Sequence, residues 1–228
     1  MNLYTFINNK IEILFFAIFF LLFNFFLLSL LIYLEKKFFP SIQNKLENNI
    51  QKIHNGSVSR LGGMSIVITS FVSSYFYLQS NSNMYILILL FGLPLIIVAL
   101  MEDIFQHLNP LFRLGSIAIS SALYLTFVIN DLPVLDIYII NNFINTPVMS
   151  VIFYTLCLVG YINGVNFIDG TNGLSTLSTL ASLLCLLFLS LTFEDTETTN
   201  FILYMLAILM SFLLLNYPFG KIFLGDLG

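Results

Sequence analysis

The chain has 228 residues, of which 58% are hydrophobic and only 9% are charged, and its mean hydropathy is +0.95. These values lie far outside the range of soluble domains and identify an integral membrane protein. The formal net charge is −4, and no nucleic-acid partner is expected.

Seven apolar segments follow one another along the chain. A helix needs ~20 residues to cross a bilayer, so the shorter segments must tilt or include flanking polar residues. Because the segments do not alternate with a period of two, a barrel is disfavoured. The sequence therefore predicts an all-α, polytopic membrane protein with about seven transmembrane helices in a single domain, 1–228. The segments are 11–34, 61–78, 84–101, 111–129, 148–162, 174–193 and 201–215.

The first apolar segment and the two cysteines have simple interpretations. Segment 11–34 is too long, and too poor in preceding basic residues, for a cleaved signal peptide, so it is predicted to be a retained helix. Cys157 and Cys185 lie within apolar segments. They are predicted to be buried, small hydrophobic residues rather than disulfide or zinc ligands.

The distribution of basic residues predicts the topology. Seven of the eight Lys and Arg residues fall in loops on one side of the predicted helices, and only Lys10 falls on the other. The positive-inside rule therefore places the N-terminus outside and four loops in the cytoplasm. These loops are 35–60, 102–113, 163–173 and 216–228.

The unusual polar motifs all lie on the predicted cytoplasmic side, which favours one composite site. Glu102, Asp103, Asp169 and Asp226 would repel one another if they met, and a hard cation such as Mg²⁺ relieves such repulsion. The alternative is that each acid ends a helix in solvent, which is common for a single acid.

Glycines and a basic residue beside these acids favour a phosphate-binding site. Glycine allows backbone N–H groups to approach an anion, and a helix that begins at Leu174 would add its own N-terminus. Arg60 precedes two glycines, where a guanidinium can bind phosphate with two hydrogen bonds. Ordinary turn chemistry is the alternative, and it explains the glycines well but the repeated acids less well.

Together, these motifs resemble those of the polyprenyl-phosphate N-acetylhexosamine-1-phosphate transferases. The segment Val58–Gly63 (VSRLGG) is similar to the family's first cytoplasmic motif, and Glu102-Asp103 with 109–114 (NPLFRL) resembles its paired-acid loop. The segment 163–174 (NGVNFIDGTNGL) matches the pattern N-x-x-N-x-x-D-G-x-[DN]-G-L, and 223–228 (FLGDLG) matches F-x-G-D-x-G. The resemblance extends from about His54 to the last residue.

The resemblance implies a function and a set of site residues. The implied reaction transfers N-acetylhexosamine 1-phosphate from a UDP-sugar to polyprenyl (undecaprenyl) phosphate, releases UMP, and begins cell-wall or surface-polysaccharide (lipopolysaccharide, O-antigen) synthesis at the bacterial inner membrane. The implied cofactor is Mg²⁺, with Mn²⁺ as an alternative, and a homodimer is an open possibility. The implied catalytic residues are Asp103, Glu102 and Asp169; the substrate-binding residues are Asn166, Asn172, Arg60 and His54; the metal ligands are Asp226 and Asp103.

Three departures from the family pattern qualify this prediction. Glu102 and Asn172 stand where better-known members have aspartates, which marks a subfamily that builds surface sugars. Members have about ten or eleven spans, so the chain is expected to be truncated at its C-terminus. An inactive fragment or structural subunit is therefore one alternative, and an ion-coupled transporter is another. The transporter is disfavoured because the acids lie at the ends of spans rather than within them.

Overall fold

The computed structural model confirms the all-α class. It describes residues 3–38, 58–78, 84–105, 108–129, 132, 133, 135, 137, 144, 146–169 and 171–228. Within these ranges the regular structure is helical, and the only β-type contact is an isolated parallel bridge between Ser59 and Ile222. The helices are α1 (Leu3–Phe38), α2 (Gly62–Leu78), α3 (Met84–Phe91), α4 (Leu93–Phe105), α5 (Pro110–Phe127), α6 (Pro147–Ile168), α7 (Leu174–Thr192) and α8 (Thr196–Asn216).

All seven apolar segments form helices, but a count of seven spans is not confirmed. In the described part of the chain, five helices are long and apolar enough to cross a membrane, and a sixth span results if the bent pair α3 and α4 is counted as one. The remaining helix, α2, has 17 residues. At 1.5 Å per residue it is about 25 Å long, somewhat less than the ~30 Å hydrocarbon core.

The predicted span 84–101 is broken, and the sequence explains the break. The axes of α3 and α4 differ by 56° across Gly92. Pro94 has no backbone N–H and disfavours helical geometry at the residue before it. The Leu95 backbone N–H donates instead to Ser120 Oγ on α5 at 3.1 Å, so this polar group keeps a partner inside the apolar region.

The chain divides into two compact units. Unit 1 consists of Met1–Phe76 and Asp169–Gly228, and unit 2 consists of Tyr77–Ile168. In unit 1, α1 packs against α8 around buried Phe20 and Tyr204, whose ring centroids lie 5.2 Å apart. Buried Asn24 donates from Nδ2 to Ile208 O at 3.0 Å and to Ser211 Oγ at 2.7 Å. Its Oδ1 accepts a hydrogen bond from Thr69 of α2, so the Asn24 amide connects α1 to both α2 and α8.

In unit 2, α5 packs against both α4 and α6. Serines line the buried face of α5, and the Ser116 hydroxyl donates a hydrogen bond to the Arg113 carbonyl of the same helix at 2.8 Å. Both cysteines are free, as predicted, but they are exposed on the helix surface rather than buried. The prediction of burial was wrong because these helices present most of their apolar surface outwards, as suits lipid.

The interpretation of 163–173 as a loop is wrong for its first half. Helix α6 continues to Ile168, so Asn163 and Asn166 lie on its last turns. Their spacing of three places them on the same side of the helix. The motif therefore combines a helix end with a short turn, and only its second part leaves the helix.

Candidate functional site

In unit 1, the segment around Arg60 pairs with the segment before Asp226 through the backbone. Phe223 N donates to Ser59 O at 2.7 Å, Gly62 N to Phe223 O at 3.1 Å, and Gly63 N to Leu224 O at 2.7 Å. Two motifs that are more than 150 residues apart in sequence are thus held side by side. Arg60 is exposed, while Ser59 and Ile222 beside it are buried.

The two glycines that follow Arg60 are required by this close backbone approach. A Cβ atom on Gly62 would lie 2.5 Å from the Phe223 carbonyl oxygen, and one on Gly63 would lie 2.3 Å from the Gly228 nitrogen. Both distances are far below normal contact. The glycine pair therefore has a packing role, which the sequence alone had not separated from phosphate binding.

The turn that precedes α7 is held by the side chain of Asn216, the last residue of α8. Gly173 adopts a left-handed conformation with φ of 78°, and its N–H donates to Asn216 Oδ1 at 2.6 Å. Asn216 Nδ2 donates in turn to Ile222 O at 2.7 Å. One buried amide thus connects the turn after Asp169 to the segment that leads to Asp226.

The surroundings of Asp169 raise the pKa of its carboxyl group. Burial raises its pKa from the ordinary value of 3.8, and the nearby charge of Asp226 raises it further. A hydrogen bond from Ser175 Oγ at 2.7 Å and the positive charge of Arg60 act in the opposite direction. The carboxylate of Asp169 is therefore close enough to both Asp226 and Arg60 to be affected by their charges.

Asn172 presents an unsatisfied acceptor in the same unit. Its Oδ1 is buried and accepts no hydrogen bond within the described part of the chain. Its amide packs against Gly220, where an added Cβ would lie 2.8 Å from Asn172 Nδ2. Buried polar atoms without partners are uncommon, so this oxygen is a candidate to bind a ligand.

In unit 2, the paired-acid loop is organised by its own side chains. Glu102 Oε2 accepts a hydrogen bond from Leu108 N at 2.9 Å, which fastens the loop to the end of α4. Asn109 then caps α5, with Oδ1 accepting from Leu111 N at 3.0 Å and Pro110 at the first helical position. Asp103 is buried beside this loop.

The same end of unit 2 contains the first residues of the asparagine motif. Arg113 Nη2 donates to Asn163 Oδ1 at 2.8 Å and joins the start of α5 to the end of α6. Asn166, one turn further along α6, is half-buried. The three predicted site residues of this unit are therefore Glu102, Asp103 and Asn166.

The predicted site residues thus fall into two groups. Unit 1 brings together Arg60, Asp169, Asn172 and Asp226, whereas His54 lies outside the described residues. Across the described ranges, no three His, Cys, Asp or Glu side chains are arranged to hold a metal ion. The carboxylates of Asp169 and Asp226 nevertheless offer hard oxygen donors, and the charge of Asp226 acts on Asp169. This donor set suits Mg²⁺, which keeps waters and shares substrate phosphates rather than requiring a protein cage.

Sequence reasoning missed Ser175 and Asn216. Each follows from a weak signal: Ser175 is the second residue of a predicted helix, and Asn216 is a single amide at the end of an apolar segment. Such residues are routine at helix ends, so only their contacts show that they hold the motif residues.

The fold and the two groups of residues define a polytopic membrane protein with acidic, glycine-rich motifs at helix ends. The sequence model described as Glycosyl transferase family 4 matches residues 84–228, more than half of the chain. The chain therefore belongs to this family, the polyprenyl-phosphate hexosamine-1-phosphate transferases. The match includes the paired acids, the asparagine motif and the final F-x-G-D-x-G motif, but not Val58–Gly63. No curated protein matches the chain. The family implies a glycosyl-1-phosphate transferase with a nucleotide-sugar donor and a polyprenyl phosphate acceptor.

Proposed function

We propose that the donor is a UDP-N-acetylhexosamine, with UDP-N-acetylglucosamine or a modified relative favoured, and that the acceptor is undecaprenyl phosphate. An oxygen of the lipid phosphate forms a bond to the β-phosphorus of the donor. The bond from that phosphorus to the oxygen bridging the α-phosphate breaks, and UMP leaves with the electron pair. The products are a lipid-diphosphate sugar and UMP, so the reaction is reversible when UMP is added.

The observation that carries this proposal is the arrangement in unit 1. The backbone of Ser59–Gly63 pairs with that of 222–224, and the charges of Arg60 and Asp226 act on Asp169. Phosphoryl transfer depends chiefly on positioning and on neutralising charge. A guanidinium and two carboxylates are appropriate groups for both tasks.

The protein residues have distinct proposed roles. Asp226 would hold Mg²⁺, and the ion would supply charge neutralisation at the phosphates. Asp103 orients the lipid phosphate, which is already mostly ionised because a phosphate monoester has a second pKa of ~6. Asp169 and Asn172 hold the nucleotide sugar, and the buried Oδ1 of Asn172, which has no hydrogen-bond partner within the described residues, supports that role. Arg60 binds a phosphate.

The test measures UMP release and UMP exchange into the UDP-sugar by the full-length protein. With Mg²⁺ and polyprenyl phosphate, we expect UMP release from a UDP-N-acetylhexosamine. Asp226→Asn should reduce exchange below about a tenth of wild type at normal expression. Chelation of the metal should have the same effect, and Mn²⁺ should restore part of the activity.

Three outcomes would contradict the proposal in different ways. UMP release without lipid phosphate would indicate hydrolysis. No release with any UDP-sugar would favour an inactive or structural protein, and retained exchange in Asp226→Asn would remove Asp226 from the metal site. Comparison with a version extended by any downstream coding sequence would distinguish an inactive fragment from an inactive enzyme.

We further propose a bacterial inner-membrane location with the site facing the cytoplasm, since seven of eight basic residues fall in loops predicted to lie on that side. Single cysteines at Thr171 and Glu197, both exposed, test this orientation after Cys157 and Cys185 are replaced. In sealed vesicles, position 171 should react only from the cytoplasmic side and position 197 only from outside. Labelling of position 171 from outside would reverse the orientation.

A further inference from the structure

Asn216 occupies a central position among the motif segments of unit 1. It ends α8, and its side chain is 4% exposed. Its Oδ1 accepts from Gly173 N at 2.6 Å, and its Nδ2 donates to Ile222 O at 2.7 Å. The backbone carbonyl of the same residue accepts from Gly220 N at 2.7 Å. Asn216 thus makes hydrogen bonds to Gly173, at the end of one motif segment, and to Gly220 and Ile222, just before the other.

The bonding leaves the side chain little capacity for a ligand. A primary amide has one acceptor oxygen and two N–H donors, and here both the oxygen and one donor are used by backbone groups. Neither Gly173 nor Ile222 has a regular helical partner for the group concerned, since one precedes α7 and the other follows α8. Without Asn216, two backbone groups in a buried place would lose their partners.

We propose that Asn216 is a positioning residue that fixes the Asp169–Gly173 turn against the segment carrying Asp226. It acts through these two backbone groups and not by touching substrate. This role rests on the proposed function insofar as the two carboxylates serve the transfer reaction. The arrangement of the segments is a separate property that can be measured without any substrate.

The first measurement is hydrogen–deuterium exchange of the detergent-solubilised full chain. Asn216→Ala removes both side-chain bonds, so amides in 171–174 and 220–228 should exchange roughly tenfold faster. Asn216→Asp, studied at alkaline pH, keeps an acceptor for Gly173 but has no donor for Ile222. It should therefore accelerate exchange in 220–228 much more than in 171–174.

Asn24 provides a matched control within the same unit. Its amide is also fully buried and bonded through both atoms, but to Ile208, Ser211 and Thr69 in the middle of the helices. Asn24→Ala should lower thermal stability while leaving exchange in 171–174 and 220–228 close to wild type. Equal loosening of these segments in both variants would mean that general destabilisation, and not positioning, explains the result.

The second measurement separates catalysis from binding. Asn216→Ala should lower kcat about 100-fold, since small displacements of reacting groups have effects of this size, while KM for the UDP-sugar changes much less. Unchanged exchange in both motif segments, or an unchanged kcat, would overturn the inference. Loosened segments in a protein whose wild type releases no UMP would uphold the positioning role and reject the proposed function instead.

Discussion

In unit 1, the segment around Arg60 and the segment before Asp226 are joined through their backbones, whereas the loop and helix ends of unit 2 are joined through side chains. In unit 1, Ser59, Gly62 and Gly63 exchange main-chain hydrogen bonds with 223 and 224. In unit 2, the carboxylate of Glu102 and the amide of Asn163 bind the elements beside them. Backbone pairing requires close approach and hence glycine, but side-chain bonding requires particular functional groups. The two units should therefore respond to different kinds of substitution.

The largest effect is expected at Gly63, where added volume breaks the backbone pairing of unit 1. In Gly63→Ala the new Cβ would lie 2.3 Å from Gly228 N and 2.6 Å from the Leu227 carbonyl carbon. Because both neighbours are backbone, they cannot move aside as a flexible side chain would. We expect a loss of roughly 1–3 kcal/mol in the free energy of unfolding, measured by thermal or denaturant unfolding in detergent.

Gly160 is the control for this substitution. It lies inside α6 on an exposed surface, and an added Cβ would meet nothing within 4 Å. Gly160→Ala should be neutral or stabilising by about 0.5–1 kcal/mol, because alanine is the better helix former. If Gly63→Ala were as well tolerated as Gly160→Ala, close approach would not be what holds the unit 1 segments together.

The second effect tests the side-chain connection of unit 2. Arg113→Ala and Asn163→Ala each remove one end of the hydrogen bond between α5 and α6. A double-mutant cycle should give a coupling energy of about 1–2 kcal/mol, since the donor is charged but the pair is only partly buried. The cycle is needed because Arg113 has further interactions. Additive effects within experimental error would show that the bond contributes nothing to the stability of unit 2.

Sequence reasoning predicted the all-α class and the positions of the apolar helices because hydrophobic segment length is a strong signal. It missed the break at Gly92 because Pro94 was read only as part of an apolar run, although the ring removes the N–H that a continuous helix needs. It also ended α6 too early. Asn163 and Asn166 are poor helix formers taken alone, but the packing of α6 against α5 overrides that weak preference.

The candidate site was predicted less completely than the fold. The motifs identified Arg60, Asp169 and Asp226, which lie in one unit. The residues that hold them, Ser175 and Asn216, could not be found, because a hydrogen bond between distant segments leaves no periodic or spacing signal in a single sequence. The packing role of the glycine pair at 62 and 63 was not predicted, since it depends on the neighbouring backbone of 223–228.

A third prediction compares the helix caps of the two units. Asn109 caps α5 in unit 2 and Asp195 caps α8 in unit 1, the latter accepting from Thr198 N at 3.1 Å. Replacing either residue by alanine should lower stability by about 1 kcal/mol, whereas replacement by glycine should cost only a few tenths. Asn109→Ala should also disturb the loop that follows Glu102, because Asn109 lies at the end of that loop. Asp195→Ala should have no such effect on this loop. Equal effects of the alanine and glycine variants would argue against a capping role.

The smallest effect concerns Ser175, whose side chain bonds directly to a predicted catalytic carboxylate in unit 1. Its hydroxyl donates to Asp169 Oδ1 and lowers a pKa that burial has raised. Ser175→Ala should therefore raise the pKa of Asp169 further. An infrared titration of the carboxyl C=O band, assigned by its absence in Asp169→Asn, measures this value. Ser178→Ala is the control, since the Ser178 hydroxyl donates to the Ser175 carbonyl at 2.7 Å and not to the Asp169 carboxylate.

The direction of the accompanying stability change follows from proton binding. Because the pKa of Asp169 is higher in the folded protein than the ordinary 3.8, the folded state binds the proton more tightly than the unfolded chain does. The resulting stabilisation is fully present below pH 3.8, and it is lost as the pH rises through the raised pKa of Asp169 in the folded protein. Removing the Ser175 hydroxyl should extend the pH range in which this stabilisation is present to higher pH. If the pKa of Asp169 stayed constant or fell in Ser175→Ala, the Ser175 hydrogen bond would not favour the ionised carboxylate. Unit 1 would then depend on backbone pairing and on Asn216 for the geometry of its acids.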